Sequence, residues 1–155
     1  MTHEKERAME MVTRFPGGAR VDTEFGPYLV RMDQPLTLGG LGLYPTPFEI
    51  FLASIGACAG TYVLAFCRQR DLPTADLRIV QSWERDPATK LVRRIHVEIH
   101  VPESFPVKYH SALIRAAEQC TVKKHLQRAP EVALSTVVDV TSASEVDERK
   151  EKVGG

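Results

Sequence analysis

The chain has 155 residues, 43% hydrophobic and 26% charged, enough for one domain with a buried core and a soluble surface. Twenty basic and twenty acidic residues cancel, which removes the basic excess that a nucleic-acid binder or a partner of anionic membranes needs. The opening MTHEKERAMEMVTRF alternates charges without an apolar stretch, so no signal peptide is expected. Three cysteines, at 58, 67 and 120, do not make a secreted disulfide framework and read as the thiols of a cytoplasmic protein.

In chain order, residues 10–15, 19–25 and 28–32 read as three short strands. Ala19, Val21, Thr23 and Phe25 alternate with Arg20, Asp22 and Glu24, a period of two. Gly26-Pro27 is a tight turn that makes the last two strands a hairpin. Residues 33–45, with Pro35, Gly39-Gly40, Gly42 and Pro45, form a loop; the GGLG run lacks the lysine and spacing of a phosphate-binding loop. A long helix then starts with Thr46 as N-cap, Pro47 at the first helical position and Glu49 closing a capping box. Asp71-Leu72-Pro73 stops it near Arg70. Residues 76–85 and 90–101 are strands joined at Asp86-Pro87, and helical sequence runs from Val107 to Arg128 with a break near Cys120-Thr121. A final strand is expected over 132–140. The order β-β-β-α-β-β-α-β predicts an α+β domain with helices packed on antiparallel sheets. That domain spans residues 1–141, and 142–155, with seven charges from Glu145 to Lys152, reads as a loose tail.

Ile50 to Cys67 contains eighteen residues without a charge, and Gly56 and Gly60 form a GxxxG pair. The alternating strands on either side favour a soluble core helix over a membrane span. A helix apolar all round must be covered all round, and a homodimer burying it between two subunits would achieve that. At ~100° per residue, Phe51, Ile55 and Tyr62 lie on one side of Cys58, with Ser54, Thr61 and Ala65 on the other. Ala53, Gly56, Gly60 and Cys67 form the opposite, small-residue stripe, where Cys67 reads as structural filler. Cys58 is then either an inert buried thiol or a reactive one. It lies too deep in the helix for the N-terminal dipole to ionise it, so reactivity requires a cation from elsewhere, for which Arg20 is a candidate.

Three segments carry a resemblance. TPFEIFLASIGACAG (46–60) resembles the first cysteine region of the OsmC/Ohr superfamily of thiol-dependent hydroperoxide reductases. RAAEQCTVKKHL (115–126) is similar to that superfamily's second cysteine segment, and FPGGAR (15–20) to the strand supplying its arginine. The resemblance implies an OsmC-like fold, antiparallel sheets around a long central helix, in an intertwined homodimer with active sites at the subunit interface. It implies Cys58 as peroxidatic thiolate, Cys120 as resolving cysteine, Arg20 as the cation that lowers the thiolate pKa, and Glu49 as the residue holding that arginine. Arg14 is a second candidate for the arginine. Two departures stand out. The glutamate sits one position later than in the organic-hydroperoxide branch, where this chain has Phe48, and Thr121 replaces the usual proline after the second cysteine.

The chemistry suits these residue types. A thiolate is nucleophilic enough to attack peroxide oxygen at neutral pH, and a second thiol traps the sulfenic acid as a disulfide. Phe48, Phe51, Ile55 and Tyr62 are expected to bury the carbon tail of an organic hydroperoxide. The implied reductant is an external dithiol or small thiol, with no bound cofactor and no metal. His96, Glu98 and His100 share a strand face but are spaced too widely to bind one metal together, and read as polar surface. The alternative is a small-molecule-binding or stress-associated domain whose cysteines are not catalytic.

Overall fold

Two glycines in left-handed backbone set the first sheet. The computed structural model describes residues 10–139 and pairs β1 (Val12–Gly17), β2 (Arg20–Phe25) and β3 (Tyr28–Met32) antiparallel in that order. Gly18 (φ 58) lies in the turn between the paired Gly17 and Arg20, and Gly26 (φ 51) in the turn between Phe25 and Tyr28, the places where a two-residue hairpin demands positive φ. Apart from Met32, no residue of β1–β3 is fully buried, so the described residues give this sheet no complete covering layer.

The loop that follows is organised by one buried carboxylate. Asp33 is 1% exposed and accepts the backbone N–H groups of Gln34 (2.8 Å), Leu41 (3.1 Å) and Leu43 (3.3 Å). Burial raises its pKa, but those three donors and the charge of Arg20 outweigh burial and hold it below the ordinary carboxylate value. Gly40 is required by close approach, because a Cβ there would stand 1.8 Å from the Gln34 carbonyl oxygen.

The capping box starts α1 (Pro47–Arg68) as the sequence predicts. Glu49 N–H donates to Thr46 Oγ1 at 3.2 Å, and Thr46 N–H donates to Glu49 Oε2 at 2.7 Å. At the other end Asp71 turns left-handed (φ 52), with Leu72 N–H on the Cys67 carbonyl and Asp71 N–H on that of Arg68, a Schellman-type closure before Pro73. The second sheet pairs β4 (Arg78–Arg85) with β5 (Val92–His100) antiparallel. The small-residue stripe of α1 lies on it: a Cβ at Gly56 would meet Gln81 Oε1 at 3.2 Å, and one at Gly60 would meet Ile79 Cδ1 at 3.4 Å. A short helical turn at Val107–Tyr109 leads into α2 (His110–Ala117) and then α3 (Thr121–Gln127).

The core joins the second half of α1 to α2 through Val63, Phe66, Cys67, Phe105 and Leu113, with Ile79 and Ile99 of the sheet packed against it. A fully buried side chain such as Leu113 contributes about 1.5–3 kcal/mol. Only 33% of the apolar window of α1, a helix long enough to cross a membrane, is buried inside the subunit. Ala53, Ala57, Thr61 and Ala65 remain exposed.

Of the expected strand over 132–140, the described residues 132–139 form none. Residues 129–139 have no regular secondary structure, and Val132, Leu134, Val137 and Val138 are exposed. An apolar stretch becomes a strand only by hydrogen bonding to a neighbouring edge, and none of the described strands pairs with this one. The charged tail expected at 142–155 lies outside the described residues.

Candidate active site

Cys58 sits half-buried in the middle of α1, and the start of α3 is brought to it across the helix junction. Cys120, 1% exposed, is the N-cap of α3: its sulfur accepts the Lys123 N–H at 3.4 Å. The Cys120 thiol also approaches the Ile55 carbonyl at 3.9 Å, which ties α3 back to α1. The Val122 and Thr121 N–H groups and the Cys120 thiol lie beside the Cys58 sulfur and favour its ionised form. The Cys120 proton therefore has two acceptors in reach, the Ile55 carbonyl and the Cys58 sulfur, and the sulfur becomes the stronger one when it ionises.

The two thiols are displaced in opposite directions. Burial pushes the Cys58 thiol up, but the donors from Val122, Cys120 and Thr121 outweigh it and bring the pKa below the ordinary thiol value. For Cys120 burial dominates; the Lys123 N–H opposes it, while the neighbouring Cys58 sulfur adds to it, and the net shift is upward. Cys67, with no exposed surface, is raised by burial against the opposing charge of Arg70. A half-buried thiol shifted down next to a buried one shifted up is an arrangement that suits nucleophilic attack followed by disulfide formation.

Of the other sequence-predicted residues, Ile55 and Tyr62 stay beside the cysteine pair, and the rest have partners of their own. Arg20 binds Asp22 at 2.8 Å and lies 5.1 Å over the Tyr44 ring, and its Nε is buried without a partner. Glu49 is engaged by Thr46, whose backbone N–H and side chain hold its carboxylate below the ordinary range. Arg20 and Glu49 are thus held by separate partners, and the acidity of Cys58 comes from hydrogen bonds with no guanidinium among its causes. Arg14 is exposed beside Glu24 at 3.8 Å. Phe48 and Phe51 stack at 5.6 Å and line a cavity of about 570 Å³ with Arg85, Leu91 and Leu126. Ile55 lines a different cavity of about 510 Å³, shared with Cys120, Ile95 and Ile114. Tyr62 donates to or accepts from Thr121 Oγ1 at 3.0 Å.

The decisive donors, the N–H groups of Thr121 and Val122, were not anticipated. The break near Cys120-Thr121 was visible as a signal, but which sulfur a backbone N–H faces depends on how α3 packs. His96 pairs with Glu84 at 3.3 Å and His100 with Glu98 at 3.4 Å. Among the described residues no three His, Cys, Asp or Glu side chains gather where they could hold a metal ion.

The sequence model of the OsmC-like protein family matches residues 40–135, a segment that contains both α1 and the Cys120 turn. The chain belongs to the OsmC-like family. Its α+β architecture, antiparallel sheets with a long helix, is the fold of that family's solved members. An osmotic stress induced and detoxification response protein from Psychrobacter arcticus superposes with a TM-score of 0.64 at 17% identity, over 74% of this chain and 85% of that one. An OsmC like protein from Mycoplasma pneumoniae gives 0.60 at 14%, over 80% and 90%. An organic hydroperoxide resistance protein from Legionella pneumophila gives 0.55 at 18%, over 77% and 88%. A comparison with curated protein sequences found no match. At these identities the OsmC-like likeness carries the fold.

Proposed function

We propose that this OsmC-like chain is a thiol peroxidase that reduces organic hydroperoxides. The observation that carries the reading is the adjacency of Cys58 and Cys120, half-buried and buried thiols whose pKa values are displaced downward and upward from the ordinary thiol value. The Cys58 thiolate attacks the distal peroxide oxygen; the O–O bond breaks, the alkoxide leaves and takes a proton as the alcohol, and Cys58 becomes a sulfenic acid. The Cys120 sulfur then displaces that hydroxyl as water, forming the Cys58–Cys120 disulfide. An external dithiol returns two electrons and two protons to restore both thiols.

Three further parts belong to the proposal. A homodimer covers the exposed faces of α1 and of the β1–β3 sheet. Across that interface Arg20, with its unpartnered Nε, supplies a guanidinium to the peroxide, and Glu49 orients it. Phe48, Phe51 and Ile55 supply apolar wall for the organic tail. Free thiols in all three positions fit a reducing, cytoplasmic setting.

The test is consumption of an alkyl hydroperoxide with dihydrolipoamide as reductant, on wild type, Cys58→Ser and Cys120→Ser. Turnover by wild type that is lost in Cys58→Ser supports the reading. No consumption by folded, reduced wild type sinks it and leaves a non-catalytic, stress-associated binding domain.

A further inference from the structure

Tyr62 was expected among the residues that receive substrate, and its hydroxyl is instead joined to α3. Tyr62 is on α1, one turn beyond Cys58, and its hydroxyl meets Thr121 Oγ1 at 3.0 Å. Thr121 is the first residue of α3, immediately after the capping Cys120. That same turn is held against α1 by the Cys120 thiol at the Ile55 carbonyl, 3.9 Å, and brings the Thr121 and Val122 N–H groups beside the Cys58 sulfur. One contact thus ties together the helix that carries the nucleophile and the turn that carries its donors.

We propose that the Tyr62–Thr121 hydroxyl pair is a positioning device, a tether that holds the first turn of α3 onto α1 so that the Thr121 and Val122 N–H groups stay aimed at Cys58. The inference deepens the peroxidase reading, since it rests on Cys58 being the reacting thiol. It assigns Tyr62 and the Thr121 side chain no direct contact with substrate.

The surroundings leave this role to few other groups. Helix α1 brings no charged side chain from Ile50 to Cys67. Before α3, Glu118 pairs with Lys123 at 3.8 Å and Gln119 with Lys124 at 2.9 Å. On α3, His125 Nδ1 lies 2.8 Å from the Thr121 carbonyl oxygen, directed at the backbone. From the sheet, Glu98 of β5 lies across the cavity that Cys120 and Lys123 share. Cys120 is the titratable neighbour of Cys58, and it hangs on the same turn. A seven-residue helix gains little stability of its own, so its register on α1 depends on such side-chain ties.

The experiment is the pH profile of Cys58 alkylation, read by peptide mapping on the full chain as wild type, Tyr62→Phe, Thr121→Val, the double variant and Thr121→Ser. Tyr62→Phe and Thr121→Val should each displace the profile to higher pH and slow Cys58 alkylation at neutral pH by about three- to ten-fold, the worth of one hydrogen bond. The double variant should be no worse than either single one, and Thr121→Ser, which keeps the hydroxyl, should restore the wild-type profile. A merely structural tie would lower thermal stability without moving the profile. An unchanged profile in the folded variants overturns the proposal, as do additive effects in the double variant. If Tyr62→Phe does not fold, the Thr121→Val and Thr121→Ser pair decides alone. Alkylation needs no peroxide, so shifted variants of a wild type that consumes no peroxide would defeat the peroxidase reading and leave the tether standing.

Discussion

The thiols of Cys58 and Cys120 lie within hydrogen-bonding reach of each other, and their acidities are displaced in opposite directions. The direction follows from position. Cys58 receives donors from the start of α3, whereas Cys120 is the cap of that helix and is shut away from water. Cys58 should therefore be the thiol that iodoacetamide modifies first at neutral pH, ahead of Cys67 by about an order of magnitude or more. Its folded pKa is lowered, so the reactive thiolate appears as pH rises through a value below that of an ordinary thiol. Peptide mapping at several pH values measures this, and Cys67 labelled ahead of Cys58 would contradict it.

Cys120→Ser separates attack from resolution. The serine keeps a cap for the Lys123 N–H, so α3 should persist. One equivalent of hydroperoxide should then leave Cys58 as sulfenic acid, and excess should drive it to sulfinic and sulfonic acid. Wild type under the same treatment should lose two hydrogens as a disulfide, as seen by intact-mass measurement. Over-oxidation at the same rate in both proteins would remove Cys120 from the resolving role.

Asp33 predicts the acid dependence of stability. Its folded pKa lies below the ordinary 3.8. The stabilisation is thus fully present above the unfolded value and is lost as pH falls through the folded one. Asp33→Asn should be less stable than wild type in urea at neutral pH, because the amide gives up an acceptor among Gln34, Leu41 and Leu43. That gap should close in strong acid, where Asp33 is protonated. A gap independent of pH would mean that shape, not charge, holds the loop.

Legibility followed the range of the cause. The Thr46–Glu49 box and the Gly26-Pro27 turn rest on neighbours within four residues, and both form as read. The apolar run of α1 and its Gly56/Gly60 stripe needed only helical spacing to predict a packing face. The strand over 132–140 failed because pairing is a property of two segments, and its alternation names no partner. The sequence offers a cation for lowering the Cys58 pKa because side chains are visible in it and the backbone N–H groups of Thr121 and Val122 are not. Tyr62 was read by its angle on α1 alone, and its hydroxyl partner lies fifty-nine residues away.

The uncovered face of α1 predicts association. Two-thirds of its apolar window is unburied in the single subunit, and the β1–β3 sheet exposes Phe15, Tyr28 and Leu29. A homodimer with an interface above ~2,000 Å² is expected. Light scattering at micromolar concentration should give twice the chain mass, and a monomer there would remove the proposed place for Arg20.

Arg20 is the residue whose role the single subunit narrows most. Its guanidinium binds Asp22 and covers Tyr44, and within the single subunit the Cys58 shift arises without it. What remains for it in the proposed dimer is the peroxide itself, where a guanidinium can hydrogen-bond the oxygen that leaves as alkoxide. Arg20→Met should accordingly leave the pH profile of Cys58 alkylation close to wild type while slowing hydroperoxide reduction by about a hundred- to a thousand-fold, the range for losing one transition-state donor. Circular dichroism and light scattering must show the same fold and assembly, because Arg20 also adds its charge to the Asp33 loop. A variant whose thiol profile moves with its rate would make Arg20 the ionising group after all. One with wild-type rate and profile would make it structural, and the peroxide would then need another donor.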